Sequence, residues 1–240
     1  TGYLTLDLLE KCYQSKCSTW MCESLENSME HVSSLLVHSH NWVRNAASRV
    51  MGSYLAKLNP GELSGKETYI ARPGCLFQLT RRLCTQLEKK HLRKEHANQI
   101  VRNLVFVSRA TYSNAALAMS KLNDDAEEEM TEKKDPMSWI FHRLSFLARC
   151  KGHKDTNFEV RCSSIFHWFA AMTKLEASIL KRYIVQALSP IYRVTTARQD
   201  QGYSKELVEL ATELQDILTD HVGSTLFMEA YQSVSKSAAL

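Results

Sequence analysis

The chain has 240 residues, 44% of them hydrophobic and 23% charged, the balance of an ordinary soluble globular protein with ample material for a core. Its 30 basic and 26 acidic side chains leave a formal charge of +4, which argues for a nucleic-acid partner only where the charge is clustered. No apolar run approaches the ~20 residues of a membrane-spanning helix, and the seven scattered cysteines, odd in number and without a disulfide-scaffold spacing, read as reduced thiols of the cytosol or nucleus.

The first residue is Thr1, no signal-peptide pattern follows it, and the expectation is a piece of a longer protein. Glycine and proline punctuate what comes after, at Pro60-Gly61, Gly65, Pro73-Gly74, Pro136, Gly152, Gly202 and Gly223. Between these breaks the apolar residues recur with a period near 3.6 and β-type alternation is absent, so the chain reads as all-α. Leu25, Met29, Val32 and Leu36 line one face of a first helix. The next helix carries the stripe Val43, Ala46, Ala47, Val50, Met51, Tyr54, Leu55 and Leu58, with Arg44, Asn45, Ser48, Arg49, Ser53 and Lys57 on the other side. Ser39 or Asn41 is placed to cap its start, and Asn59-Pro60-Gly61 ends it. The link between the two is so short that they must form an antiparallel hairpin.

The pairing recurs. Helical patterns at 74–90 and 95–119 precede a long polar insertion at 121–134. Then come 136–151, with Asp135 as cap and Pro136 at the first helical position, and 157–173. Further segments follow at 176–193, 203–222 and 224–236, with Pro190 set to kink its helix or restart one behind Ser189. About ten helices in antiparallel pairs predict a HEAT/armadillo-like α-solenoid. Residues 1–236 form one helical-repeat domain in this reading, 121–134 a mobile acidic loop, and 237–240 an appended tail.

A short signature supports stacking. "NWVRNAASRVMGSYL" and "FEVRCSSIFHWFAAM" both place Val-Arg near a helix start with a small residue, Ala47 or Ser164, four positions after the valine. "QIVRNLVFVSRAT" repeats Val-Arg with bulkier followers. The valines stand at 43, 101 and 160, wider apart than the ~40 to 47 residues of a HEAT repeat, so each interval holds a repeat plus an extra helix or loop. One hairpin cannot bury its apolar face alone, and neighbouring hairpins supply the cover. Ala47 and Gly52 would let a neighbouring helix approach closely, Val43, Ala47 and Val160 would lie in the buried seams, and the arginines would reach carbonyls or an aspartate in the adjacent repeat.

Several stretches taken together are more specific: "WVRNAASRVMG", "QIVRNLVFVSRA", "PMSWIFHRLSFLARC", "SSIFHWFAAM", "LSPIYR" and "VGSTLFMEAYQSV". In this order, over roughly residues 25–235, they resemble the C-terminal region of the down-regulated-in-metastasis family, the very large HEAT-repeat scaffolds of the small-subunit processome. The resemblance implies a nuclear, nucleolar protein of ribosome biogenesis. It implies partners among processome proteins, the box C/D small nucleolar RNA particle and pre-rRNA, and a structural role in maturation of the small-subunit rRNA. Family members usually continue into a strongly basic tail, whereas this chain stops at "SVSKSAAL". The competing reading is a HEAT adaptor of another kind, a nuclear transport receptor or a phosphatase scaffold. Such adaptors show more regular repeats and a concave acidic or aromatic stripe, which this sequence lacks.

The candidate binding residues lie in "TRRLCTQLEKKHLRKEHANQ": Arg81, Arg82, Lys89, Lys90, Arg93 and Lys94. Clustered cations of this kind neutralise phosphates and release counterions, although basic side chains at a helix C-terminus also suit the helix dipole with no ligand. The insertion "NDDAEEEMTEKKD" is too polar to bury a fixed fold. Cys150, His153, Cys162 and His167 have a loosely zinc-like order, but five residues along one helix turn Cys162 and His167 about 140° apart, so no metal site is expected. Cys12, Cys17 and Cys22 recur every five residues and drift round a helix in the same way. No nucleophile elbow, phosphate-binding glycine loop or zinc-protease motif is present; no enzyme activity, cofactor or small-molecule substrate is expected. Trp139, Phe141, Phe146, Phe166, Trp168 and Phe169 crowd two adjacent helices and read as core, with an exposed docking patch as the other possibility.

Overall fold

A computed structural model describes residues 2–14, 26–63, 67–114, 135–151, 155–174, 177–197 and 202–238. The acidic insertion at 121–134, Cys17, Cys22, Leu25 and His153 lie outside them. Among the described residues the regular elements are all helical: α1 Gly2–Gln14, α2 Met29–Leu35, α3 Asn41–Leu55, α4 Cys75–Leu87, α5 Lys94–Ser113, α6 Pro136–Arg149, α7 Phe158–Met172, α8 Ala177–Thr195, α9 Lys205–Val222 and α10 Ser224–Ala238, with a 3-10 turn at Tyr69–Ala71. Each expected helix has a counterpart, although residues 115–119 of the one expected at 95–119 lie outside the described residues, and α1 is an addition. They fall into two compact units, residues 1–91 with 98–137 and residues 92–97 with 138–240.

In the first unit α3 is the central helix. Its stripe Ala46, Ala47, Val50, Met51, Tyr54 and Leu55 is buried, and it packs against both α1 and α2. The α1 contact is an addition to the hairpin pattern, and Arg49 ties it: its Nε lies 2.8 Å from Glu10 and its Nη2 3.4 Å from Asp7. Glu26 accepts from the Tyr54 hydroxyl at 2.9 Å and from the Tyr69 backbone N–H at 2.7 Å, pinning the 3-10 turn against α3. Gly52 faces α5, where an added Cβ would overlap the Gln99 amide. A glycine there lets α5 come close enough for Asn103 to donate to the Ser48 carbonyl at 2.9 Å, as the small-residue reading anticipated.

The second unit is built round α7. Phe158, Arg161, Cys162, Ser164, Ile165, Phe166, Trp168, Phe169 and Met172 are all buried, which is what a helix covered on several sides requires. Phe141 of α6 meets Trp168 edge-on at 4.9 Å between ring centroids and stacks on Tyr183 of α8 at 4.7 Å. α7 packs on α9, α8 on α9 and α10, and α9 on α10. Ser204 caps α9 by accepting from the Leu207 N–H at 3.3 Å, and Gly223, at φ 89, makes the sharp turn into α10. Pro190 sits inside α8 without ending it, and the kink lies upstream at Tyr183 (φ −115, ψ 19). Elsewhere Asp135 caps α6 as expected, accepting from the Met137 N–H at 3.0 Å.

Three sequence expectations need correction. Val43 and Val160 are only half-buried, whereas the arginines beside them, Arg44 and Arg161, are 5% and 6% exposed. Ser48, assigned to the outer side, is fully buried, because α3 is covered by more than its hairpin partner. The residue at the N-cap of α3 is His40, with no side-chain cap bond, rather than Ser39 or Asn41. Arg44 serves the other side of this junction, donating to the His38 and Ser39 carbonyls of the link.

Candidate nucleic-acid and partner interface

The proposed basic residues do not all play one part. Arg82 is half-buried and donates from Nη1 to the Ser33 hydroxyl at 2.7 Å, so it holds α4 to α2. Arg81 is exposed, its guanidinium 6.0 Å from the centroid of the Phe77 ring. Lys89 is half-buried and Lys90 exposed, in the turn where the Lys89 N–H closes on the Gln86 carbonyl at 3.1 Å. Their charges complement the negative end of α4. His91 follows at φ 61, a left-handed conformation uncommon outside glycine that reverses the chain. Arg93 and Lys94 are exposed at the start of α5, where the dipole opposes cations; Glu95, also exposed in the first turn, partly offsets them. Arg81, Arg82, Lys89 and Lys90 belong to the first unit and Arg93 and Lys94 to the second.

The arginines of the Val-Arg pairs, expected to reach carbonyls or an aspartate, are buried in two of the three cases. Arg44 donates from Nη1 to the His38 and Ser39 carbonyls at 2.9 and 2.6 Å, and from Nη2 to the Asn41 side chain at 3.4 Å. Arg161 donates from Nε to the Leu147 carbonyl at 3.0 Å, and from Nη2 to the Cys150 carbonyl at 3.0 Å and the Asp155 carboxylate at 2.6 Å. Each guanidinium reaches back toward the N-terminal side of its own helix, as helical side chains do. There it satisfies carbonyls that the end of the preceding helix and its link leave open. The arginines thus reach carbonyls and an aspartate, as expected, but within their own hairpin rather than in the adjacent repeat. Burial alone lowers the pKa of Arg44. Arg102, the third of the series, is exposed while Val101 is buried.

Cys162 and His167 have different surroundings. Cys162 is buried with its Sγ 3.6 Å from the Ala148 carbonyl, and His167 is exposed with Nδ1 2.8 Å from the Ser163 carbonyl. Burial pushes the Cys162 thiol up to about 12, and burial also raises that of Cys75 despite the opposing pull of Arg72; neither is an activated nucleophile. Of the aromatic cluster, Phe141, Phe166, Trp168 and Phe169 are core, while Phe146 is 46% exposed with the Arg143 guanidinium 5.6 Å from its ring centroid.

Similarity to known proteins agrees with this architecture. A family model described as "Small subunit processome component 20 homolog, C-terminal" matches residues 5–240. A curated relative from Schizosaccharomyces pombe, U3 small nucleolar RNA-associated protein 20, is 27% identical over 210 residues, which cover 85% of this chain and 8% of the relative. With a family match over nearly its whole length, the chain belongs to the small-subunit processome component 20 family, as its C-terminal region.

Proposed function

We propose that this chain is a non-catalytic scaffold segment of the small-subunit processome, holding processome proteins and RNA in relative position during early small-subunit rRNA maturation. Family membership makes it part of a processome component, and so of ribosome biogenesis in the nucleolus. The observation that carries the scaffold reading is the family match over residues 5–240 on a chain whose buried arginines, Arg44 and Arg161, are spent on closing helical hairpins. The relative's name links that protein to the U3 small nucleolar RNA; by analogy the partners of this chain are the box C/D particle and pre-rRNA. No feature of the geometry favours the transport-receptor or phosphatase-scaffold alternative.

Direct RNA contact falls to the exposed cations. Arg93 and Lys94 carry most of this argument, because they stand at the end of α5 where a cation gains nothing from the helix. Arg81 and Lys90 offer exposed charge of their own, Lys89 contributes less because it is half-buried, and Arg82 is committed to Ser33. The test is filter binding of a pre-rRNA fragment to the chain over a salt series. Charge reversal at Lys89, Lys90, Arg93 and Lys94 should weaken binding and lower the slope of log K against log salt, by ~0.7 for each single-strand phosphate no longer neutralised. Binding indifferent to salt and to the reversals would remove the RNA contact. A chain that fails to co-sediment with early pre-ribosomal particles would remove the scaffold role itself.

A further inference from the structure

α6, α8 and α10 enclose an open groove of about 830 Å³ in the second unit, a size typical of ligand-binding clefts. Two arginines stand in its wall, Arg149 from α6 and Arg193 from α8. Both are held by main-chain carbonyls: Arg193 donates from Nη1 to the Arg149 carbonyl at 2.8 Å, and Arg149 from Nε to the Ser145 carbonyl at 3.4 Å. Neither is ion-paired among the described residues, whereas Arg49 and Arg161 both face carboxylates. Of the described residues that line the groove none is acidic. Among the described residues, then, the two guanidiniums are held by main-chain carbonyls and face no carboxylate.

The wall between the arginines is chemically mixed. Val185 and Val234 give it an apolar strip, and Gln186 stands beside it. The Gln186 Nε2 lies 3.3 Å from the His142 Nε2, and its Oε1 is buried with no hydrogen-bond partner. An unmet buried acceptor of this kind is destabilising, and rotation about the soft terminal torsion of the side chain presents it to the groove.

We propose that the α6–α8–α10 groove binds an acidic peptide segment of a partner protein. The guanidiniums match carboxylates, the valines accept an apolar side chain, and a peptide N–H meets the Gln186 oxygen. A single-stranded RNA would offer the same negative charge but also needs open aromatic faces on which to stack bases. Of the two rings that line the groove, Tyr192 is packed edge-on against Tyr231 at 5.1 Å and tied through its hydroxyl to Ser235 at 3.3 Å, and the His142 imidazole is engaged by the Gln186 amide. The lining suits a peptide backbone better than it suits bases.

The test uses the whole chain, a fluorescently labelled peptide of alternating glutamate and alanine, and a labelled oligouridine of equal charge, read by anisotropy. The peptide is expected to bind. Arg193→Glu should weaken it by about tenfold or more, the equivalent of a charge-assisted hydrogen bond. Gln186→Glu, which keeps shape and acceptor but adds a negative charge, should do the same with an unchanged melting temperature. This second variant covers the case in which Arg193→Glu loosens the end of α6. Reversal at Lys90, Arg93 and Lys94 should leave the peptide affinity as it was, so the groove and the RNA contact fail or stand separately. No binding, binding indifferent to both groove variants, or tighter oligouridine binding abolished by the same variants would each overturn the proposal.

Discussion

Arg44 in the α2–α3 hairpin and Arg161 in the α6–α7 hairpin occupy corresponding places, yet their surroundings differ. Among the described residues Arg44 meets two carbonyls and a side-chain amide oxygen, faces no carboxylate, and keeps a buried Nε without a partner. Arg161 meets two carbonyls and a carboxylate at 2.6 Å. What the two share is the closing of a hairpin link, so carbonyl capping is the common task and charge neutralisation an addition made in only one. Arg44 offsets the desolvation of its charge with neutral oxygens alone. Arg161 spends the same burial on a pair whose loss would strand an aspartate that is 19% exposed.

Arg161→Leu should break the comparison most sharply. Stranding Asp155 and two carbonyls should cost about 3 kcal/mol or more, read from urea unfolding followed by tryptophan fluorescence. A loss equal to that of the matching Arg44 variant would show that the carboxylate adds nothing. Gly52→Leu tests the other support of the first hairpin. It drives a side chain into Gln99 and Asn103, and overpacking there should cost about 2 kcal/mol. A neutral outcome in thermal unfolding would mean that α5 yields readily. Arg44→Leu should cost about 1 to 2 kcal/mol, with faster amide exchange at the α2–α3 link.

A smaller contrast lies one residue on, where half-buried Asn45 corresponds to buried Cys162. The Cys162 thiol stays protonated in the fold to about 12, against an ordinary value of 9.0. Below pH 9 both folded and unfolded chains hold the proton and stability does not depend on this group. Above it the unfolded chain releases the proton first, so stability should fall between pH 9 and about 12. Cys162→Ala should flatten that part of the pH curve; an unchanged slope would discount the buried thiol. Arg102→Ala, on the exposed arginine of the series, should shift stability by less than ~0.5 kcal/mol in the same unfolding assay.

The helices from α2 onward, the Asp135 cap and the close approach at Gly52 were legible in the sequence because each depends on neighbours three or four residues away, or on an intrinsic property such as a missing Cβ; α1 was not read. The Val-Arg pairs were legible as a repeat and misread in detail. One step along a helix turns a side chain by 100°, and apolarity assigned the seam to Val43 and Val160 when the link carbonyls required Arg44 and Arg161. The basic run was visible as a run, but the commitment of Arg82 to Ser33 was not, since that bond joins residues 49 apart.

Local pattern alone therefore determined the secondary structure, the hairpin pairing and the family resemblance, because helix periodicity and capping are short-range. Tertiary structure decided which polar groups lie inside, which arginines are free to meet a partner, and that Arg149, Gln186 and Arg193 line one groove with Val234. Burial and charge compensation depend on what packs from distant parts of the chain, and those distances are fixed only when the helices stack.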